Sequence, residues 1–169
     1  MPFTPFHLGP ALFFGLLLFA FIDFPTFLVA NVIVDLEPLL VVFLGLDYPL
    51  HGFFHSFAGG TIIAIILAFL MFRLNSVTKK AMKFFRLEQE VTLKRVMTAS
   101  LAGVYFHILL DSPLYPDIKP LYPLELNPFF SSDMAISIYI FMFCIFSLLL
   151  GLMIYIIRLS VQAMKKPKS

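Results

Sequence analysis

From Met134 to Ile157 the chain carries no Asp, Glu, Lys, Arg or His, and no other feature limits its fold so sharply. At about 1.5 Å of rise per residue, a helix of that length exceeds the ~30 Å hydrocarbon core of a bilayer. A water-facing helix of equal length needs a polar stripe, and this segment has none. The remainder is of the same kind: 60% of the residues are hydrophobic, 22 are Phe, and only 13% are charged. Soluble domains carry about 25% charged residues, so water-exposed enzymes and basic nucleic-acid binders are excluded. The expected fold is all-α, a single integral membrane domain over residues 1–169.

Four further apolar helices, the second in two pieces, are expected before that run. Leu8 to Ile22 is the first, ended by Asp23 and Pro25. Phe27 to Val34 is the second, interrupted by Asp35-Leu36-Glu37-Pro38, where Pro38 ends or kinks the helix. Leu39 to Leu46 follows as a short piece. A strong span is expected from His51 to Leu74, and another from Val96 to Leu110. These segments predict a bundle of about five membrane helices, the second short or broken. Between the third and fourth, residues 75–95 mix Met82, Phe85, Val91 and Leu93 with Lys79, Lys80, Lys83, Arg86, Lys94 and Arg95. This pattern predicts an amphipathic helix on an anionic lipid surface. Residues 111–133 form a Pro-rich loop whose Leu114, Tyr115, Tyr122, Phe129 and Phe130 order it against the bundle. The single cysteine, Cys144, lies in an apolar run, is expected to be core or lipid-facing, and has no disulfide partner.

Seven of the twelve basic residues fall between Arg73 and Arg95, four in the C-terminal tail, and only Lys119 elsewhere. The positive-inside rule then predicts a cell (inner) membrane protein with its N-terminus outside and its C-terminus cytoplasmic. No basic residue precedes the first apolar run, so it is expected to remain a span, not a cleaved leader.

On this topology all four histidines fall on the non-cytoplasmic side, although only Lys and Arg set the orientation. His7 begins the first helix, His51 and His55 the third, and His107 and Asp111 end the fourth; Asp35 and Glu37 end the second. His51 and His55 stand four residues apart, as do His107 and Asp111, which places each pair on one helical face. Acids within apolar segments are costly and tend to be functional. The candidate metal ligands are therefore His7, Asp35, Glu37, His51, His55, His107 and Asp111. They suit one or two divalent ions, zinc first and manganese or iron next. Asp117, Glu125 and Asp133 read as solvated loop acids, Asp23 and Asp47 as turn or cap residues, Ser56 as supporting a ligand, and Lys119 as solvated.

Phe6-His7-Leu8-Gly9, Asp35-Leu36-Glu37, His51-Gly52-Phe53-Phe54-His55-Ser56 and His107-Ile108-Leu109-Leu110-Asp111 together resemble the membrane-bound metal-dependent hydrolases. That family is also described as LexA-binding inner-membrane hydrolases. Its pattern is an early His, an Asp-x-Asp pair, a His-Arg-Gly-x-Thr-His-Ser box and a later His-x-x-x-Asp. The resemblance covers residues 1 to 125. Glu37 stands where the family has its second Asp, and Gly52-Phe53-Phe54 leaves the box without its arginine, which puts the family's substrate in doubt here. The resemblance implies metal-dependent hydrolysis.

The expected function is thus a membrane-embedded metal-dependent hydrolase of a phospholipid or another amphiphilic phosphoester. Glu37 or Asp111 would be the general base. Its partners would be membrane lipids and such a substrate, with no nucleic acid. The alternative is a metal or proton transporter, or a metal-stabilised scaffold. Di-iron oxygenases need more than four histidines, and a zinc protease motif would need a glutamate after His51.

Overall fold

The computed structural model describes residues 6–165. Lys166 and Lys168, counted above in the basic tail, lie outside the described residues. Seven helices follow in order: α1 (Leu8–Leu17), α2 (Phe24–Ile33), α3 (Leu36–Leu44), α4 (Phe57–Arg73), α5 (Asn75–Phe84), α6 (Leu93–Asp111) and α7 (Met134–Lys165). A short 3-10 turn, Phe53–His55, precedes α4, and there is no strand among the described residues.

Among the described residues, three stretches are long and apolar enough to cross a membrane: Phe24–Leu44, which joins α2 and α3, then Leu93–Asp111 and Met134–Met164. The pair α4 and α5, bent by 74°, makes a fourth if taken as one span. The expected count of five is not reached by helix length. With ten residues, α1 reaches about 15 Å, half the hydrocarbon thickness.

The α2–α3 break falls at Val34–Asp35. Pro38 lies in the first turn of α3. It lacks an N–H, and its ring opposes the carbonyl four residues back, so one continuous helix cannot pass Val34. At the other end Gly45 adopts φ +60 and terminates α3, a conformation glycine enters without steric cost. The amphipathic segment is helical only as far as Phe84. Beyond Arg86 the chain turns inward, burying Leu87 beside Leu16, Phe19 and Phe24.

Small residues set the helix pairings, as expected where apolar surfaces gain nothing by leaving lipid. Helix α1 lies against α7 at Gly9, where an added Cβ would come 2.3 Å from the Cys144 carbonyl oxygen. Helices α2 and α6 meet at Gly103, where a Cβ would come 2.5 Å from Ala30 Cβ. The Ser100 hydroxyl donates to the Ala64 carbonyl and ties α6 to α4 at 2.7 Å. Val34, Ala64, Ala68, Val96, Val104 and Ile108 fill the space between α2, α4 and α6.

Arg95 and Gln89 staple the α1–α2 connection. The Arg95 guanidinium donates to the Phe19 carbonyl at 2.7 Å, and Gln89 accepts from the Phe24 amide at 2.9 Å while donating to Phe19 and Ile22 carbonyls. Arg158 stacks 3.8 Å over the Phe19 ring, a cation–π contact. The basic residues thus close one end of the bundle, and the α1 and α2 backbones run from there toward the histidines.

The α2–α6 contact makes a direct prediction. Gly103→Val should lower the thermal unfolding midpoint in detergent through an overpacking cost of about 1–3 kcal/mol. Ala102→Val, on the exposed flank of the same helix, should leave it unchanged. Equal midpoints for the two variants would show that this contact yields without strain.

Candidate metal centre

Two imidazoles reach the middle of the cluster by routes the backbone fixes. His107, fully buried on α6, places Nδ1 2.8 Å from the Asn31 carbonyl oxygen. A carbonyl can only accept, so Nδ1 carries the proton and Nε2 presents its lone pair when the ring is neutral. His55, also fully buried, places Nδ1 2.7 Å from Glu37 Oε2, which leaves its Nε2 free as well.

Facing these nitrogens are Asp35, at the α2–α3 break, and Asp111, the last residue of α6. One donor atom from each of Asp35, His55, His107 and Asp111 lies within 4.8 Å of the others. His107 Nε2 is 3.5 Å from Asp35 Oδ1 and 3.4 Å from Asp111 Oδ2. Those separations are long for a charged N–H···O bond, which runs about 2.7–2.9 Å. They match two ligands held tetrahedrally on one ion, which at ~2.0–2.2 Å bond lengths stand about 3.3–3.6 Å apart.

His55 Nε2, His107 Nε2 and Asp35 Oδ2 are buried without a hydrogen-bond partner, while Asp111 Oδ1 has His7 Nε2 3.0 Å away. Among the described residues, no lysine or arginine pairs with Asp35 or Asp111. Buried unsatisfied polar atoms are rare in folded proteins, and three of them in a cluster whose donor atoms lie within 4.8 Å of one another mark a place that could hold a cation. The residues therefore fit a metal ion: two nitrogens and two carboxylates is a donor set that zinc, manganese or iron accepts.

The other three predicted ligands surround this group. His7, at the N-cap of α1, is buried. Its Nε2 lies 3.0 Å from Asp111 Oδ1, and its ring centroid lies 4.4 Å from that of His107. Glu37 stands behind His55. Its Oε2 accepts from the Gly52 amide at 3.1 Å as well as from His55, and its Oε1 accepts from the Phe54 amide at 3.2 Å. Both oxygens are engaged, an arrangement typical of a carboxylate orienting a metal-bound histidine. His51 turns to Asp117, with Nδ1 3.0 Å from Oδ2 and 3.1 Å from Oδ1.

The spacing of His51 and His55 does not place them on one helix, as expected from i and i+4. His51 lies in an irregular segment and His55 in the 3-10 turn, and α4 begins only at Phe57. Glu37 takes the Gly52 and Phe54 amides, and Ser56 caps α4 by accepting from the Gly59 amide at 3.0 Å. These competing partners stop the helix short of the histidines. At Gly52 the Tyr48 ring lies where a Cβ would stand, 2.0 Å away, so a larger residue there would displace that ring.

Three participants escaped the sequence reading. Asp117 was taken for a solvated acid but orients His51. Asn31 supplies the carbonyl that fixes His107, and an asparagine inside an apolar run is a signal that could have drawn notice. Tyr115 stacks on His51 with centroids 4.1 Å apart. Burial, followed by the charges of Asp111, Asp35 and Asp117, raises its pKa, so its phenol stays protonated. Glu125 is no ligand: it pairs with Lys119 at 3.3 Å on the surface. Comparison with protein-family models, curated proteins and solved structures finds no match.

Elemental analysis of protein purified without chelator should find bound divalent metal, lost in His55→Ala and in His107→Ala but retained in His51→Ala. Undiminished metal in the first two would sink the site. Glu37→Gln should keep the site but weaken metal affinity about 10–100-fold, the usual consequence of losing an orienting carboxylate, as read by chelator competition.

Proposed function

We propose that the chain is a membrane-embedded, metal-dependent hydrolase acting on an amphiphilic phosphoester such as a phospholipid. The observation that carries this reading is the convergence of the buried His55, His107 and Asp111 with the half-buried Asp35, without a lysine or arginine paired to them among the described residues. The resemblance to the membrane-bound metal-dependent hydrolases supports the same reading, with zinc as the first choice of metal and manganese or iron next. A divalent ion in such a site supplies Lewis acidity, polarising a phosphoryl oxygen and lowering the pKa of water.

The chain's own groups have separable tasks. Glu37 and the Asn31 carbonyl hold His55 and His107 in one tautomer each. Of the two acids expected to serve as base, Glu37 has both oxygens engaged, so proton handling falls to Asp111 with His7 beside it. His7 Nδ1 is buried without a partner, and His7 lines a cavity of about 390 Å³ with Tyr115, Ser137 and Phe141. A proton taken by Asp111 can pass to His7 and leave by that cavity.

The positive-inside rule supports an N-out, C-in arrangement in the cell (inner) membrane, with the cluster nearer the non-cytoplasmic face. In a five-helix topology α1 would enter only part of the bilayer. The missing arginine of the family box and Glu37 in place of Asp fit a substrate different from the family's.

Purified protein in detergent should release a water-soluble phosphorylated product or phosphate from phosphatidylglycerol or phosphatidic acid. Chelation should stop the release, and zinc or manganese should restore it. Asp111→Asn should lower kcat about 10²-fold or more even at metal concentrations that keep the site loaded, in keeping with loss of a general base. Metal movement across sealed vesicles with no phosphoester cleaved would favour the transporter reading.

A further inference from the structure

We propose that the slot between α3 and α4 holds one acyl chain of a membrane glycerophospholipid, delivered sideways from the bilayer to the metal cluster. This deepens the function proposed above and rests on it only in calling that lipid a substrate.

Helix α3 stands away from the bundle and makes almost no contact with the other helices. Of its nine residues only Glu37 and Val41 are buried. Between α3 and α4 lies a groove of about 500 Å³, walled by Leu36, Leu40, Ile63, Ile66 and Leu70. Its polar lining is Glu37 and Tyr48. From Ile63 to Leu70 the α4 wall alone runs about 10 Å.

What fills this groove follows from its depth and its lining. The α2–α3 stretch is long and apolar enough to cross a membrane, and α4 with α5 passes the same test as a bent pair. At that depth the surrounding medium is hydrocarbon. An extended acyl chain is the apolar component of that medium, and the slot's lining of Leu and Ile side chains meets it along its length.

The groove also leads somewhere. Glu37 forms part of its wall, and the same carboxylate holds His55 at 2.7 Å. Phe54, next to His55 in the chain, lines it as well. A chain lying along Ile63 to Leu70 therefore has its polar end beside Tyr48 and Glu37, one side chain away from the cluster. Groove and metal centre share a wall, so a lipid in this position presents its headgroup linkage near the donors without leaving the membrane.

The test is photolabelling of purified, delipidated protein in detergent. The probe is a stoichiometric amount of phosphatidylglycerol bearing a diazirine in one acyl chain, with the labelled peptides mapped. Label should concentrate on α3 and α4 and be displaced by excess unlabelled phosphatidylglycerol. Ile66→Trp and Leu40→Trp should each cut that label about tenfold by filling the slot. Leu149→Trp, on an equally exposed face of α7, should not. Metal content, measured on the same samples, should stay at the wild-type level and so report that the variants fold. Label spread evenly over α7 and the other lipid-facing helices, and indifferent to Ile66→Trp, would overturn the proposal. Groove labelling without phosphoester cleavage would keep the acyl site and discard the hydrolase.

Discussion

Electron pairs gathered in a medium that cannot solvate them are what the rest of this structure answers to. Two aspartates and two imidazole nitrogens face each other inside an apolar bundle. In water such groups would separate or take up protons. In a low-dielectric interior their mutual repulsion, and the loss of hydration, are severe unless a cation sits among them. The backbone removes one escape: His107 cannot turn Nδ1 inward while the Asn31 carbonyl accepts its proton. Glu37 restrains His55 in the same way. A divalent ion resolves the arrangement, and a proton shared between His7 and Asp111 relieves part of it.

Delivering those donors accounts for the irregular parts of the fold. A continuous helix through Asp35 and Glu37 would place the two carboxylates about 200° apart around its axis, unable to serve one centre. The break imposed by Pro38 allows Asp35 to reach His107, while Glu37, in the first turn of α3, accepts the Gly52 and Phe54 amides. These amides would otherwise be unsatisfied, since they precede the capped start of α4. The short α1 serves the same end. It needs only to bring His7 from the stapled Phe19–Ile22 turn to the level of Asp111, and Gly9 lets it lie close to α7 while doing so.

Much of this is legible in the chain itself, for physical reasons that differ by level. The helical membrane class follows from composition, because no water-soluble packing hides so much apolar surface. The break near Pro38, the Pro-rich loop and the long last helix follow from local chemistry. The donors Asp35, His55, His107 and Asp111 could be named because ionisable groups in apolar runs are costly. What could not be read is which groups touch the centre and which stand behind it. Glu37 and His51 look no different from ligands in the sequence. Their second role arises from tertiary partners, the Gly52 and Phe54 amides for one and Asp117 for the other. The expected helical pairing of His51 with His55 failed for a related reason: side-chain competition for backbone amides outweighed helix propagation. Helix length alone yields three or four crossings and not five, because apolar run length is not helix length; Leu8 to Ile22 is apolar throughout, yet α1 ends at Leu17.

The cluster is approached from two chemically unlike sides. One cavity reaches it at His7 and is lined by Tyr115 and Ser137 as well as aromatic carbon. The other reaches it at Glu37 and is hydrocarbon almost throughout. A centre that is dry on one side and open to polar atoms on the other fits a molecule that is itself divided, with a tail that belongs in the bilayer and a headgroup that does not. The asymmetry of the two approaches is what the proposed amphiphilic substrate would require.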